Sequence, residues 1–331
     1  METRPLGRTG FEATRIGLGM AALGRPGYIN LGHGDDLNGD VDVNSMRRNA
    51  HDVLNAAFDV GIRYFDVARS YGKAEEFLGS WLRSRNLPFG TTTIGSKWGY
   101  TYVADWDVDA DTHEVKEHSL HVLKRQWLES RKELGGQLNL YQIHSATLES
   151  GVLDNIDVMN HLANLKREGV AIGISLSGAE QAQTLRKAMA VTIDGVQLFE
   201  TVQATWNILE RSTGDALQDA HDSGMAVIIK EALANGRLTP KNDDPEADEL
   251  MTVLRQQSER LKTTIDALSI AAVLNNRWAD VVLSGAANVE HLQSNVCAVN
   301  VQFDDEADAL LRQWIEVPQV YWGTRSELAW N

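Results

Sequence analysis

Cysteine is almost missing from this sequence: Cys297 stands alone among 331 residues, so no intrachain disulfide is possible. That usage fits a reducing compartment, and the cytoplasm is the expected location. The opening METRPLGRTG lacks the apolar run of a secretory leader. No apolar stretch approaches the ~20 residues a spanning helix needs, so a soluble protein is expected. Cations are also scarce. Lys and Arg total 31 against 46 Asp and Glu, a formal net charge of −15. Nucleic-acid binding needs a basic patch, and an anionic membrane surface attracts one, so both partners are excluded as expectations. There is no internal repeat, no low-complexity run and no convincing linker.

Apolar residues are plentiful, at 43%, enough for a full core. The chain is organised around Gly61 to Gly79, G-I-R-Y-F-D-V-A-R-S-Y-G-K-A-E-E-F-L-G. Ile62 to Phe65 reads as a short strand. Asp66 stands at its end and Tyr71 in the loop beyond. A helix follows from Lys73, with Glu75 and Glu76 in its first turn, where acids favour the helix dipole. Barrel enzymes present catalytic groups on loops at strand ends in this way. Two later strands repeat the arrangement: Thr92–Ser96 ends at Lys97, and Leu138–Ile143 ends at His144.

Taken in order, residues Arg4 to Gly19 predict a small hairpin and then a first barrel strand, Thr14–Leu18. Gly19 to Met46 is long and irregular. It follows a strand, so in a barrel it lies on the catalytic face. It is expected to act as a lid, with Tyr28, Ile29 and Leu31 as its apolar contacts. Asp36, Asn38 and Asp40 faintly resemble a calcium loop, but the glycine and terminal acid of that motif are missing. Helix one is predicted at about Met46–Val60 and a long helix at about Thr112–Leu134. The latter would put Glu114, His118 and His121 on one face. Two histidines at i, i+4 around a glutamate are absent, so no metal is expected. Further strands are predicted at Val170–Ser175, at Thr201–Asn207 in preference to the other candidate Val196–Phe199, and at Ala226–Ile229 and Val281–Leu283. An extra helix at Asp304–Ile315 precedes a tail carrying Tyr321, Trp322 and Trp330. Eight strand–helix units favour a closed α/β (β/α)8 TIM barrel of one domain over an open sheet. The first strand is followed by G-M-A-A-L-G, not by the G-x-G-x-x-G of a dinucleotide-binding crossover.

Asp66, Tyr71, Lys97 and His144 resemble the catalytic tetrad of the aldo-keto reductases. R-P-L-G-R-T-G and R-I-G-L-G resemble that family's start, and Val282 to Asn295 its late cofactor-binding segment. The landmarks come in family order along nearly the whole chain. The resemblance implies carbonyl reduction, or its reverse, with a nicotinamide cofactor. Each residue type also meets a chemical need. No side chain supplies hydride, so a cofactor must. Tyr71 can supply the proton, and a nearby Lys97 is expected to lower its phenol pKa from about 10. Asp66 would hold Lys97 charged, and His144 would donate a hydrogen bond to the carbonyl oxygen.

The resemblance further implies that Ser175 and Gln203 hold the carboxamide of NAD(P)(H). Gly285, Ala286, Ala287, His291, Ser294 and Asn295 would lie along its adenosine end. Members that prefer NADPH usually carry Lys or Arg in this last segment. Here there is none, Ala287 and His291 stand where such cations occur, and Glu290 would repel a phosphate. That tilts the expectation to NAD(H). After strand seven, Lys230 replaces the family's common aromatic. It is placed to meet the diphosphate or a substrate acid, or to pair with Glu231. Leu233, Asn235 and Arg237 share its loop and are candidate cofactor contacts. Tyr28, Trp98 and Trp106 are candidate walls for a carbonyl or sugar substrate. The alternatives are a cofactor-sensing regulatory subunit with little turnover, and a Schiff-base aldolase using Lys97.

Overall fold

The computed structural model describes residues 1–37 and 39–331. Eight parallel strands close into a barrel in chain order, each hydrogen-bonded to the next and the last to the first. They are β1 (Ile16–Gly19), β2 (Tyr64–Asp66), β3 (Thr93–Trp98), β4 (Leu138–Ala146), β5 (Ala171–Leu176), β6 (Thr201–Thr205), β7 (Ala226–Lys230) and β8 (Val281–Ser284). Helices packed outside cover the barrel, so its strands are buried throughout or nearly so. This double burial is why they read as continuous apolar runs rather than alternating ones.

The N-terminal hairpin, Thr3–Pro5 paired with Glu12–Thr14, plugs one mouth. Its Leu6 and Ala13 join barrel-interior Tyr64, Leu140, Ile228 and Val281 in one apolar cluster. The open mouth is therefore at the C-terminal ends of the strands. The main core lies between strands and helices. There Trp81 is 1% exposed, and its indole N–H donates to Asn55 Oδ1 at 2.9 Å. Replacing such a side chain by Ala costs about 3–5 kcal/mol.

Several boundaries differ from the sequence expectation. Helix one starts earlier, at Val43, because Asp42 caps it by accepting from Asn44 N–H. Its buried face is Met46, Ala50, Val53, Leu54 and Ala57, at helical spacing. The helix expected at Thr112–Leu134 starts only at Leu120, where Ser119 caps it. Glu114–Lys116 instead pairs antiparallel with Tyr100–Tyr102. His113 and His118 are thus off the helix and share no face with His121. The expected tail holds a second extra helix, Pro318–Glu327, with proline in its first turn. No helix among the described residues is long and apolar enough to cross a membrane.

Candidate active site

Asp66, the last residue of β2, is the hub of the open end. Its carboxylate forms an ion pair with Lys97. It also accepts from Gln203 Nε2 at 2.9 Å, and from Gln142 Nε2 and Tyr64 Oη at 3.3 Å. The Lys97 side chain is 0% exposed and that of Asp66 2%. Lys97 Nζ also donates to the Val67 carbonyl at 2.9 Å. β3 approaches this cluster closely: a Cβ on Gly95 would lie 2.6 Å from Tyr64 Oη. Lys97 is thus fully engaged and sealed from solvent. That removes the Schiff-base expectation, which needs an accessible lysine.

Tyr71 is set by the loop that leaves β2. Val67 N–H and Arg69 N–H donate to Gly95 and Lys97 carbonyls, at 2.9 and 3.0 Å, so this loop follows the edge of β3. Gly24 lies against it, where a Cβ would fall 2.2 Å from the Tyr71 carbonyl oxygen. The phenol ring meets the His144 imidazole edge-on, with centroids 5.5 Å apart. Lys97 Nζ is 4.9 Å from the Tyr71 centroid.

The electrostatics correct one expectation. Tyr71 is not lowered: burial, and then the Asp66 carboxylate, push its phenol well above the usual range, with Arg25 opposing. The physical reason is burial first: a phenolate there would lose its water and stand beside the Asp66 charge. Burial, then Lys97 and Lys230, drive His144 well below the usual imidazole range. At neutral pH the pair is a protonated phenol beside a neutral imidazole. His144 Nδ1 contacts Ser70 Oγ at 3.4 Å. Its carbonyl takes a 2.9 Å bond from His118 Nε2, which holds this end of β4.

A cavity of about 770 Å³ runs along this mouth. Asp66, Tyr71, His144 and Gln203 line it, with Lys230, Leu233 and Asn235 after β7. Gly285, Ala286, His291, Ser294 and Asn295 line its far end, and Tyr28 its near wall. Other expected residues stand elsewhere. Trp98 is a core residue, 0% exposed, because neighbours on a strand point to opposite sides and Lys97 takes the inner one. Trp106 is held by its indole N–H on the Val41 carbonyl at 2.6 Å, away from the cavity. Arg237 is turned to Glu316. The Ala287 carbonyl takes the Asn49 amide at 2.8 Å and does not line the cavity. Ser175 is buried beside Gln203 in the β5–β6 register, and its hydroxyl has no protein partner.

The cavity also holds Arg25 and Arg325, which sequence reasoning passed over, and the Glu231 that it offered as a partner for Lys230. Arg25, 2% exposed, sits among the rings of Tyr28, Tyr71 and Trp330, at 5.3, 5.4 and 4.6 Å, and pairs with Glu114. Glu231, in the left-handed region at φ 56°, is gripped by Arg325 and lies 3.5 Å from Lys230. Burial opposes its charge, yet Arg325 and then Lys230 hold Glu231 well below the carboxylate range. Asp36 pairs with Lys241. Glu231, a non-glycine residue in the left-handed region at the site mouth, is a strained position of the kind that clusters at functional sites.

Hydrogen bonds tie the described part of the long loop after β1 to the loop after β7 and to the last residue of the chain. Asn235 Nδ2 donates to the Ile29 carbonyl at 2.8 Å. The Asn331 side chain accepts from His33 N–H at 2.7 Å and donates to the Asn30 carbonyl at 3.1 Å. Of the weak calcium motif, Asp36 is engaged by Lys241 and Asn38 lies outside the described residues. Among the described residues no group of three His, Cys, Asp or Glu is placed to hold a metal ion.

Comparison with known proteins adds four findings. The aldo/keto reductase family model matches residues 15–316. The NADH-specific methylglyoxal reductase of Escherichia coli is 25% identical over 96% of this chain and 99% of its own length. L-galactose dehydrogenase of Arabidopsis thaliana is 25% identical over 90% of this chain and 88% of its own. In fold, the chain superposes on an aldo-keto reductase from Bacillus halodurans with a TM-score of 0.71, covering 96% of this chain and 97% of that one at 21% identity.

Proposed function

This chain belongs to the aldo/keto reductase family, and from that premise we propose that it interconverts a carbonyl and an alcohol with NAD(P)(H). The observation that carries the reading is the edge-on meeting of Tyr71 and His144 on the cavity wall, beside the buried Lys97–Asp66 pair. When bound, the nicotinamide supplies the hydride that no side chain can.

The residues present suit such a cofactor. Asn235 and Asn295 line the cavity and carry buried Oδ1 atoms without protein partners, and Ser175 Oγ, beside cavity-lining Gln203 in the strand register, is another such atom. A long ligand with an amide at one end and hydroxyls at the other satisfies groups of this kind, which are costly to leave unmet.

Tyr71 is the general acid. At neutral pH it carries the proton that the developing alkoxide must take up. His144, neutral, donates a hydrogen bond to the substrate oxygen as charge develops there. Lys97 and Asp66 position the tyrosine and set the field around it. The wall by Tyr71 is polar and charged, with Tyr100, Arg25, Glu114, Glu231 and Arg325. A small, oxygen-rich carbonyl suits it better than a large apolar one. Methylglyoxal and L-galactose, named for the two relatives above, are the first compounds to try.

The test is oxidation of NADH or NADPH with a panel of aldehydes and ketones, and reduction of NAD or NADP with a panel of sugars and alcohols, comparing wild type with Tyr71→Phe. Turnover by the wild type that collapses in the variant supports the reading. Binding of dinucleotide with no turnover of any carbonyl or alcohol would favour the regulatory-subunit alternative.

A further inference from the structure

At the end of the cavity away from Tyr71, three loops or helices converge on one acid. Asp36 lies in a single helical turn, His33–Asp36, within the loop after β1. Its carboxylate pairs with Lys241 Nζ, from the loop after β7, and stands 3.4 Å from His291 Nε2, on the helix after β8. The Asp36 side chain is 5% exposed. Lys241 Nζ also donates to the Gly32 carbonyl at 3.1 Å, so this lysine is tied to the same turn twice. Asp266 and Glu290 line the same end, and one oxygen of Asp266 is buried without a protein partner. Three carboxylates therefore face Lys241 and His291, and one of them already occupies both.

An added phosphate would bring close to two negative charges into this end. It would have to take Lys241 from Asp36 and then sit beside an unpaired, buried carboxylate, which is costly. A ribose diol faces no such conflict, because hydroxyls donate to a carboxylate. We propose that Asp36 is a specificity-determining residue. It holds Lys241 and His291 away from a 2′-phosphate and leaves an end that accepts a free 2′-hydroxyl. The site then selects NAD(H) over NADP(H). This rests on the reading above that the cofactor's adenosine lies along Gly285 to Asn295.

The test is equilibrium binding, not turnover. Quenching of tryptophan fluorescence gives dissociation constants for NADH and NADPH in the wild type, Asp36→Asn and Lys241→Gln. Competition by AMP and by adenosine 2′,5′-bisphosphate repeats the comparison without nicotinamide. Wild type is expected to bind NADH about tenfold or more tightly than NADPH, a difference of about 1.4 kcal/mol or more. Asp36→Asn is expected to shrink that ratio at least about fivefold, chiefly through tighter NADPH binding. Lys241→Gln keeps the acid and removes the cation, so the ratio should hold or widen. A wild type that prefers NADPH, or a ratio that Asp36→Asn leaves unmoved, overturns the assignment alone. Failure of both dinucleotides to bind overturns the cofactor reading and this assignment with it.

Discussion

Lys97 Nζ lies 4.9 Å from the centre of the Tyr71 ring, yet its charge is committed to Asp66, and both ionic side chains are sealed from solvent. This relationship predicts an asymmetry in stability. In Lys97→Met, Asp66 keeps the Gln203, Gln142 and Tyr64 donors. In Asp66→Asn, the buried ammonium loses its counter-charge. Breaking a buried pair costs about 3–5 kcal/mol. Asp66→Asn should fall at the upper end of that range and Lys97→Met below it, read from urea unfolding midpoints. Equal losses would show that the three neutral donors contribute nothing.

A second prediction concerns pH. Burial lowers Lys230 from 10.5 to about 8, with Glu231 opposing. Between those two values the unfolded chain binds more protons at this lysine than the folded one. The contribution of Lys230 to stability therefore rises with pH across that window, while the raised phenol of Tyr71 acts the other way toward its top, so the gain is read as the difference between wild type and Lys230→Met. The gain should be about 1–3 kcal/mol, and Lys230→Met should remove it. Unfolding by urea near about pH 7.5 and about pH 10 measures both. A wild-type slope that persists in the variant would assign it to another group.

A third concerns the loop after β1. Asn331 holds it by bonds to His33 and Asn30. Asn331→Ala should increase cleavage by a nonspecific protease within residues 28–37 several-fold, with the barrel core still resistant. An unchanged cleavage rate would mean that Asn235 and Lys241 suffice to fasten it.

The barrel was legible in the sequence because doubly buried strands leave continuous apolar runs, and Asp66, Lys97 and His144 stand out as polar residues at the ends of such runs. Tyr71, in a loop, was singled out by the family resemblance, and the fold brings the four together at one mouth. The errors have equally plain causes. Trp98 was read as a pocket wall beside Lys97, although strand neighbours face opposite sides. The Thr112 helix start ignored Ser119, a capping residue. What was not legible is pairing at a distance. Arg325 and Glu231 are 94 positions apart, and Lys241 and Asp36 are 205 apart. Each of these residues alone looks like an ordinary surface charge. Only the closure of the barrel brings them together at its mouth. The raised phenol of Tyr71 has the same origin. Sequence placed Lys97 near it, but the balance between Lys97 and Asp66 is a matter of geometry.

The most direct test of the account is the rate of NAD(P)H oxidation by the wild type and by Tyr71→Phe, each saturated with cofactor. The account predicts that the variant binds the dinucleotide as the wild type does while turnover falls by about 10²–10⁴-fold, the usual contribution of a positioned proton donor. A Tyr71→Phe variant that reduces the same carbonyl at the wild-type rate would contradict it.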